Sequence, residues 1–376
     1  MRETLGSSSN SADAVESLDL KMNADLPVVC VAVIYHSRKG DVFERMLSSL
    51  AAMDYPKDRI VLLFIDNYSK DGAFEVCKSW IAAQGRLYKG VVHLRARGNP
   101  SRLRNIAIRT ASEIGVKHFA FIDSDVLVDS AFLKRSLNLF GNYAWKSPLL
   151  SVSAVWDVGL ENLDWLEKRY SSWLRGRAGA TAGISEGLAC NTATCLIDLD
   201  KAILVGWFDE DVRFIEDLDW GRRATSKGYV CLFDSRVVIP HLKKYSLKDM
   251  RSYFMAGALS EAKLFLKNGL GLQAARRVFY WSGLFTSLLL SWVNPLPALA
   301  FFLVGYVVYF RRARGVGKVL LFPVSMPFNI VKSLGLGVAM AHWLLKGGYK
   351  SERVTILGEP DWEVVLRKVP ASLSRS

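Results

Sequence analysis

Residues 117–125 read KHFAFIDSD, an apolar run rich in aromatic residues that stops at two carboxylates one residue apart. Similar short apolar runs alternate with longer segments in which apolar residues recur at helical spacing. The predicted strands are Val28–Ile34, Arg59–Ile65, Val91–Ala96 and Lys117–Ile122, and the predicted helices are Asp41–Ala52, Asp71–Ala83 and Ser101–Ile114. Continuously apolar strands separated by helices predict a parallel sheet covered on both faces. Because such sheets bind ligands beyond the carboxyl ends of their strands, we expect the acidic residues after residue 122 to face a ligand.

Composition and charge exclude several classes of protein. Of the 376 residues, 51% are hydrophobic, which excludes a disordered or collagen-like chain. Five cysteines without CxxC spacing exclude a small disulfide scaffold and predict reduced thiols. The formal net charge is +13, and basic residues cluster beside apolar runs without any nucleic-acid-binding signature. We therefore expect anionic lipid headgroups or phosphorylated small molecules as partners, and no nucleic acid.

The composition divides the chain into five parts. Residues 1–25 are polar, which predicts a disordered tail without a secretory signal, so that the start of the chain stays in the cytoplasm. Residues 26–245 carry the α/β pattern, and residues 246–277 predict amphipathic helices at a membrane interface. Residues 278–346 predict transmembrane or re-entrant helices, and residues 347–376 form a polar tail.

Two apolar segments near the C-terminus predict membrane attachment. Val278–Phe310 has no charged residue and is interrupted by Asn294–Pro297, which favours a hairpin of two short helices over one kinked span. Positive residues on both sides of this segment place both ends in the cytoplasm. Val319–Leu345 contains Lys332, which is costly at mid-bilayer, so a second shallow hairpin and a true span stay open. We expect the protein at the cell membrane, with its α/β domain facing the cytoplasm.

Acidic residues follow two of the predicted strands. In Asp123-Ser124-Asp125, two carboxylates at a strand end can share a hard divalent cation, although D-x-D in a surface turn also occurs by chance. Asp66-Asn67 follows another strand, where Asp66 can accept hydrogen bonds from a nucleobase or a ribose. The end of that loop can also supply the N-cap of the next helix.

A third acidic segment, which contains Glu216, Asp217 and Asp219, lies later in the chain. Neighbouring like charges raise the pKa of one member, which suits a general base. The alternative is a solvated helix start, where acids favour the helix dipole. The preceding Gly206–Glu210 makes the segment too specific for that alternative.

Over residues 27–245 the chain resembles the family 2 inverting glycosyltransferases, which have the GT-A fold. The matching motifs occur in the family's order. They are VVCVAVI, Asp66-Asn67-x-Ser69-x-Asp71-Gly72, Arg104-Asn105, Asp123-x-Asp125, and the segment from Gly206-x-Phe208-Asp209 to Glu216-Asp217-x-Asp219.

The resemblance implies a GT-A nucleotide-diphospho-sugar transferase fold, an α/β domain with a mostly parallel sheet flanked by helices, here followed by an all-α membrane region. It implies Asp217 as the catalytic base, and Asp123, Asp125 and His241 as ligands of Mg²⁺ or Mn²⁺. The substrate-binding residues that it implies are Asp66, Asn67, Arg104, Asn105, Asp123, Ser124 and Glu216.

The implied reaction is one in-line displacement that inverts the sugar of a nucleotide-sugar donor. We expect the acceptor to be a hydroxyl of a lipid-linked glycan or glycolipid, because Glu216-Asp217 provides a base that an alcohol needs. A polyprenyl-phosphate glycosyl synthase is the alternative, and a membrane-tethered binding protein without activity is a remote one. Gln273–Arg277 has Arg where the Q-x-x-R-W signature of processive synthases has Trp, which argues against processive synthesis.

Overall fold

The computed structural model describes residues 26–37, 41–143, 148–157, 183–187, 190–212, 214–242, 247–267, 271–312, 322–345 and 362–370. The predicted N-terminal tail and most of the C-terminal tail lie outside these residues. The strands are β1 (Val29–Tyr35), β2 (Ile60–Asp66), β3 (Gly90–Arg95), β4 (His118–Asp123), β5 (Leu149–Asp157), β6 (Ile184–Gly187), β7 (Thr194–Asp198), β8 (Val230–Pro240) and β9 (Glu363–Lys368). The helices are α1 (Asp41–Ala51), α2 (Ala73–Gln84), α3 (Pro100–Ile114), α4 (Phe132–Tyr143), α5 (Leu199–Val205), α6 (Glu216–Ser226), α7 (Leu247–Lys267), α8 (Gly271–Leu289), α9 (Leu296–Arg312) and α10 (Phe322–Leu345).

The nine described strands form one mixed sheet in the order β6-β8-β5-β7-β4-β1-β2-β3-β9. Strands β4, β1, β2 and β3 run parallel, as the alternation of apolar runs and helices predicts. Each predicted strand and helix of this half is confirmed to within two residues. The pattern is reliable here because both faces of the sheet are buried, so that Val29, Val31 and Val33 pack on one side and Cys30 and Ala32 on the other.

The second half of the sheet brings the end of β8 beside the end of β4. Val126 and His241 form an isolated antiparallel bridge. The amide of Leu127 donates to the carbonyl of Pro240 (2.9 Å), and the amide of Leu242 donates to the carbonyl of Asp125 (2.7 Å). This backbone pairing fixes His241 next to the carboxylates that follow β4, although more than a hundred residues separate them in the chain.

Helix α3 carries Arg104 and Asn105 into the interior. Its N-cap is Asn99, whose side-chain oxygen accepts from the amide of Arg102 (3.0 Å), with Pro100 in the first turn. The helix ends at Gly115, whose φ of 84° suits a residue without a side chain. Arg104 and Asn105 are both buried on the face that points to the second half of the sheet.

The C-terminal part of the described chain is a strand. Strand β9 pairs antiparallel with β3 and covers that edge of the sheet. The two backbones approach closely at Gly90, where a Cβ would lie 2.8 Å from the carbonyl oxygen of Lys368. The polar composition of the tail did not indicate this pairing.

Helices α8 and α9 form the hairpin that the prolines predict. The hydroxyl of Tyr280 donates to the carbonyl of Phe301 (2.6 Å), and Gly283 lies against the Phe301 ring. Of the two alternatives left open for the second apolar segment, the shallow hairpin is not what the structure shows, because Phe322–Leu345 is a single helix that packs against α7 and α8. Its Lys332 forms an ion pair with Glu261 of α7 (3.1 Å), which accounts for a charge in an apolar segment.

In the part of the chain that the structure describes, no helix is both long enough and apolar enough to cross a bilayer. The predicted transmembrane helices in 278–346 are therefore not supported. The turn after α8 divides the uncharged run, and α9 has only 17 residues.

Candidate active site

Two carboxylates and one imidazole form a possible metal site where β4 and β8 end. Asp123, Asp125 and His241 each offer one ligand atom, and these three atoms lie within 4.8 Å of one another. Nε2 of His241 is 3.5 Å from Oδ1 of Asp125. Asp125 is buried, whereas the side chain of Asp123 is 35% exposed, so one side of the cluster is open. Carboxylate oxygens and an imidazole nitrogen suit a divalent cation such as Mn²⁺ or Mg²⁺.

Arg104 links this cluster to the acidic segment of α6. Its Nη1 donates to Oε1 of Glu216, and its Nη2 lies 3.7 Å from Oδ1 of Asp123. Burial by itself would lower the pKa of Arg104, but the carboxylates of Glu216 and Asp123 outweigh it and raise that pKa. The guanidinium therefore balances carboxylates inside the protein. Its predicted contact with the donor stays a prediction.

Asp217 lies in the first turn of α6, beside Glu216. The amide of Leu218 donates to its Oδ1 (2.8 Å). Burial, and then the charge of Glu216, raise the pKa of Asp217 to about 7, against the opposing effect of Arg104. A carboxyl with a pKa near neutrality is suited to exchange a proton with a substrate.

The residue before this pair has an unusual backbone. Ile215 has a φ of 58°, in the left-handed region that a β-branched residue rarely adopts. Such a conformation costs about 1–3 kcal/mol and persists only where surrounding contacts impose it. The strain therefore lies directly beside Glu216 and Asp217.

Asp66 lies at the end of β2, separated from β4 by β1. Its Oδ1 accepts from the amide (2.9 Å) and the hydroxyl (2.6 Å) of Ser69, and its Oδ2 accepts from Nε of Arg95 (3.0 Å). The amide group of Asn67 exchanges two hydrogen bonds with the backbone of Gly98. Both side chains hold the loop after β2, and their predicted contacts with the nucleotide stay predictions.

Asn105 and Ser124 are buried. The side chain of Asn105 pairs with the backbone amide and carbonyl of Phe208 and donates to Glu210 (3.0 Å). Asn105 thereby ties α3 to the loop that leads to α6. The structure thus gives Asn105 a supporting contact, while its predicted contact with substrate stays a prediction.

Two side chains that the sequence did not single out support α6. Arg223 donates to Oδ2 of Asp219 (3.1 Å) and to the carbonyl of Trp207 (2.6 Å). Lys267 of α7 donates to Oδ2 of Asp209 and to Oδ2 of Asp219. Helical spacing could relate Arg223 to Asp219, but no local pattern could relate Lys267 to residues about 50 positions away.

Residues 30–144 match the sequence profile of the family "Glycosyl transferase family 2". The match covers 115 of the 376 residues, and over this stretch the chain is similar to that family. The matched residues include β1 to β4, with the loop after β2, Arg104 and the two carboxylates at the end of β4.

The relatives that this chain matches are distant. Glycosyltransferase AglE of Haloferax volcanii is 22% identical over 236 residues, which are 63% of this chain and 74% of that protein. A glycosyltransferase 25 family member of Anopheles gambiae is 27% identical over 165 residues, 39% of this chain. The match covers only 27% of the length of the Anopheles protein.

The fold of this chain is similar to that of a solved glycosyltransferase. The mannosyltransferase PcManGT from Pyrobaculum calidifontis, in complex with GDP-Man and Mn²⁺, aligns with a TM-score of 0.53 and 16% identity. The alignment covers 85% of this chain and 87% of that one. The mixed sheet flanked by helices is therefore a GT-A fold, as the sequence motifs imply.

Proposed function

We propose that this protein is a metal-dependent inverting glycosyltransferase that moves a sugar from a nucleotide-sugar donor to a hydroxyl of a lipid-linked glycan or glycolipid. The proposal depends on one observation. Arg104 pairs with both Glu216 and Asp123, so it links the carboxylates of Glu216 and its neighbour Asp217 to the possible metal site that includes Asp123. The relatives and the fold support it, since each named relative is a glycosyltransferase and the structural neighbour holds GDP-Man with Mn²⁺.

The residues of the cluster take separate parts in this proposal. Asp217 accepts the proton of the acceptor hydroxyl while the oxygen of that hydroxyl attacks the anomeric carbon. The bond from this carbon to the nucleoside diphosphate breaks on the opposite face, so one displacement inverts the configuration. Asp123, Asp125 and His241 hold the divalent cation, which when bound would neutralise charge on the departing diphosphate. Arg104 offsets the charges of Glu216 and Asp123, so that Asp217 can be ionised near neutral pH.

The test is a screen of purified protein in detergent against UDP- and GDP-sugars, with release of nucleoside diphosphate as the readout. Mg²⁺, Mn²⁺ and EDTA are compared, and a lipid-linked sugar and a polyprenyl phosphate serve as alternative acceptors. We expect release that depends on metal and on the lipid-linked sugar, with an inverted anomer in the product. Transfer to the polyprenyl phosphate alone would replace the proposed acceptor class, and the absence of release with any donor would overturn the proposal.

We further propose that the α8–α9 hairpin inserts into one leaflet of the cell membrane, with the GT-A domain on the cytoplasmic side. Half of the large apolar side chains that the described residues expose lie between 279 and 307, including Phe279, Trp292 and Leu296 at 74%, 84% and 68% exposure. The uncharged part of α8, Val278–Leu289, is about 18 Å long, which is short of the roughly 30 Å hydrocarbon core. A hairpin of this length reaches about the middle of a bilayer.

Liposome flotation tests this insertion with two matched leucines. Leu296→Glu places a charge at the hairpin, and Leu204→Glu places one on α5, at a leucine of similar exposure (64%). We expect Leu296→Glu to lower partitioning onto anionic vesicles about tenfold, since it removes an exposed leucine that would enter the membrane and adds a charge there. Leu204→Glu should bind like the wild type. Equal binding by both variants would show that the hairpin is not the anchor.

A further inference from the structure

Helix α7 contacts helices α8 and α10 on one side and the loop before α6 on the other. On one face, Ser260, Lys263 and Lys267 follow one another at helical spacing. The hydroxyl of Ser260 accepts from the amide of Phe214 (3.3 Å), and Nζ of Lys263 donates to the carbonyl of Asp211 (2.7 Å). The neighbouring Glu261 pairs instead with Arg277 of α8 (2.7 Å) and with α10. Ion pairs with α8 and α10 thus fix the position of α7, and hydrogen bonds from α7 fix the loop before α6.

The strongest of these contacts is that of Lys267. Its Nζ is 2.8 Å from Oδ2 of Asp209 and 3.2 Å from Oδ2 of Asp219. The side chains of the two aspartates are 4% and 1% exposed, and that of Lys267 is 14% exposed. Arg223 also donates to Oδ2 of Asp219. Lys267 thus places one cation between two buried carboxylates that lie ten positions apart in the chain.

These two aspartates lie on either side of the strained backbone. Asp209 precedes Ile215 in the chain, and Asp219 is in the first turn of α6 after it. Lys267 therefore joins the two ends of the segment that includes Ile215, Glu216 and Asp217. A strained residue keeps its conformation only when its surroundings impose it, and this bridge supplies such a constraint.

We propose that Lys267 is a positioning residue for Asp217: by bridging Asp209 and Asp219 it holds the first turn of α6 in the orientation that the reaction needs. Lys267 acts through these aspartates and does not itself contact the reacting atoms. The proposal rests on the proposed role of Asp217 as base. It makes helix α7 part of the active enzyme, because Lys267 is the last residue of that helix.

The test compares Lys267→Met, Lys267→Arg and Ser260→Ala in the full chain, with Lys201→Met as the control. Lys201 also pairs with a buried aspartate, Asp198 (2.9 Å), and its other partner is the carbonyl of Leu149 rather than an acidic residue of α6. We expect Lys267→Met to lower kcat about 10- to 100-fold while the KM for the donor stays within about twofold, since misplacing a base affects the chemical step. Lys267→Arg should restore most of kcat, and Ser260→Ala, which removes only one hydrogen bond, should show a smaller loss of the same kind. Lys201→Met should keep the wild-type kcat.

Binding and folding are measured beside activity. Titration with UDP or GDP in the presence of Mn²⁺ reports the donor site, and thermal unfolding reports folding. A Lys267→Met protein that is folded, binds nucleotide and keeps the wild-type kcat would overturn the proposal. So would loss of kcat in Lys201→Met as large as in Lys267→Met. The parallel variant Asp217→Asn separates the two ideas: full activity in that variant overturns the base assignment, whereas an inactive Asp217→Asn with an active Lys267→Met overturns only the positioning role.

Discussion

Replacing Asp217 with Asn should lower kcat about 10²- to 10⁴-fold, because the variant lacks the group that we propose takes the proton of the acceptor hydroxyl. The KM for the donor should change little. In the wild type, kcat should fall about tenfold per pH unit below pH 7, since only the ionised form of Asp217 is active and its pKa is about 7. Steady-state kinetics over pH 5.5–9 measures both effects.

The same substitution should stabilise the fold above neutral pH. The pKa of Asp217 in the folded protein is raised from its ordinary value of 3.8 to about 7. The unfolded chain therefore releases this proton near pH 3.8 and the folded protein only near pH 7, so the free energy of unfolding falls as the pH rises between these values. Asn carries no such cost. We expect Asp217→Asn to gain up to about 4 kcal/mol at pH 8 in EDTA, seen as a higher Tm, and little at pH 4.

Asp54→Asn is the control for this pair of effects. Asp54 is an exposed partner of Lys134, and its substitution removes a carboxylate far from α6. It should leave kcat and the pH dependence of Tm close to those of the wild type. A fully active Asp217→Asn would contradict the assignment of the base. Equal melting temperatures of Asp217→Asn and wild type at pH 8 would contradict the raised pKa.

Removing the metal should lower activity by a factor similar to that expected for Asp217→Asn, and removing one of the proposed ligands should weaken metal binding. EDTA should abolish release of nucleoside diphosphate, and added Mn²⁺ or Mg²⁺ should restore it. Asp125→Asn should weaken Mn²⁺ binding by more than the roughly 10- to 100-fold that loss of an outer-sphere partner costs, because Asp125 is buried in the ligand set. Calorimetric titration with Mn²⁺ measures this affinity independently of activity.

His241 provides the sharper part of this test, because it joins the set only through the pairing between β4 and β8. His241→Gln should weaken Mn²⁺ binding, whereas His342→Gln, a histidine of α10, should not. Normal Mn²⁺ affinity in His241→Gln would remove the histidine from the site. Normal activity of the wild type in excess EDTA would overturn the metal proposal itself.

The sequence predicts the first half of the fold well and the helical segment only in part. Strands β1 to β4 are short apolar runs buried on both faces, so their sequence reflects their position. The hairpin of α8 and α9 is confirmed because Asn294–Pro297 interrupts an uncharged run. Phe322–Leu345 carries prolines too, but they lie in its first turns, where a helix tolerates them better than in its interior. The structure thus has a single helix where the sequence left a second hairpin and a true span open.

Residue identity and spacing alone determined which carboxylates lie at the edge of the sheet, because strand ends and motif order are local properties of the chain. Tertiary structure decided which side chains each of those carboxylates contacts. A backbone bridge places His241 beside Asp125. Arg104 pairs with Glu216 and Asp123. Asp66 accepts hydrogen bonds from Ser69 and Arg95. The tertiary structure also brings Lys267 between Asp209 and Asp219. Charge partners distant in the chain are chosen by packing and desolvation, which no local pattern encodes.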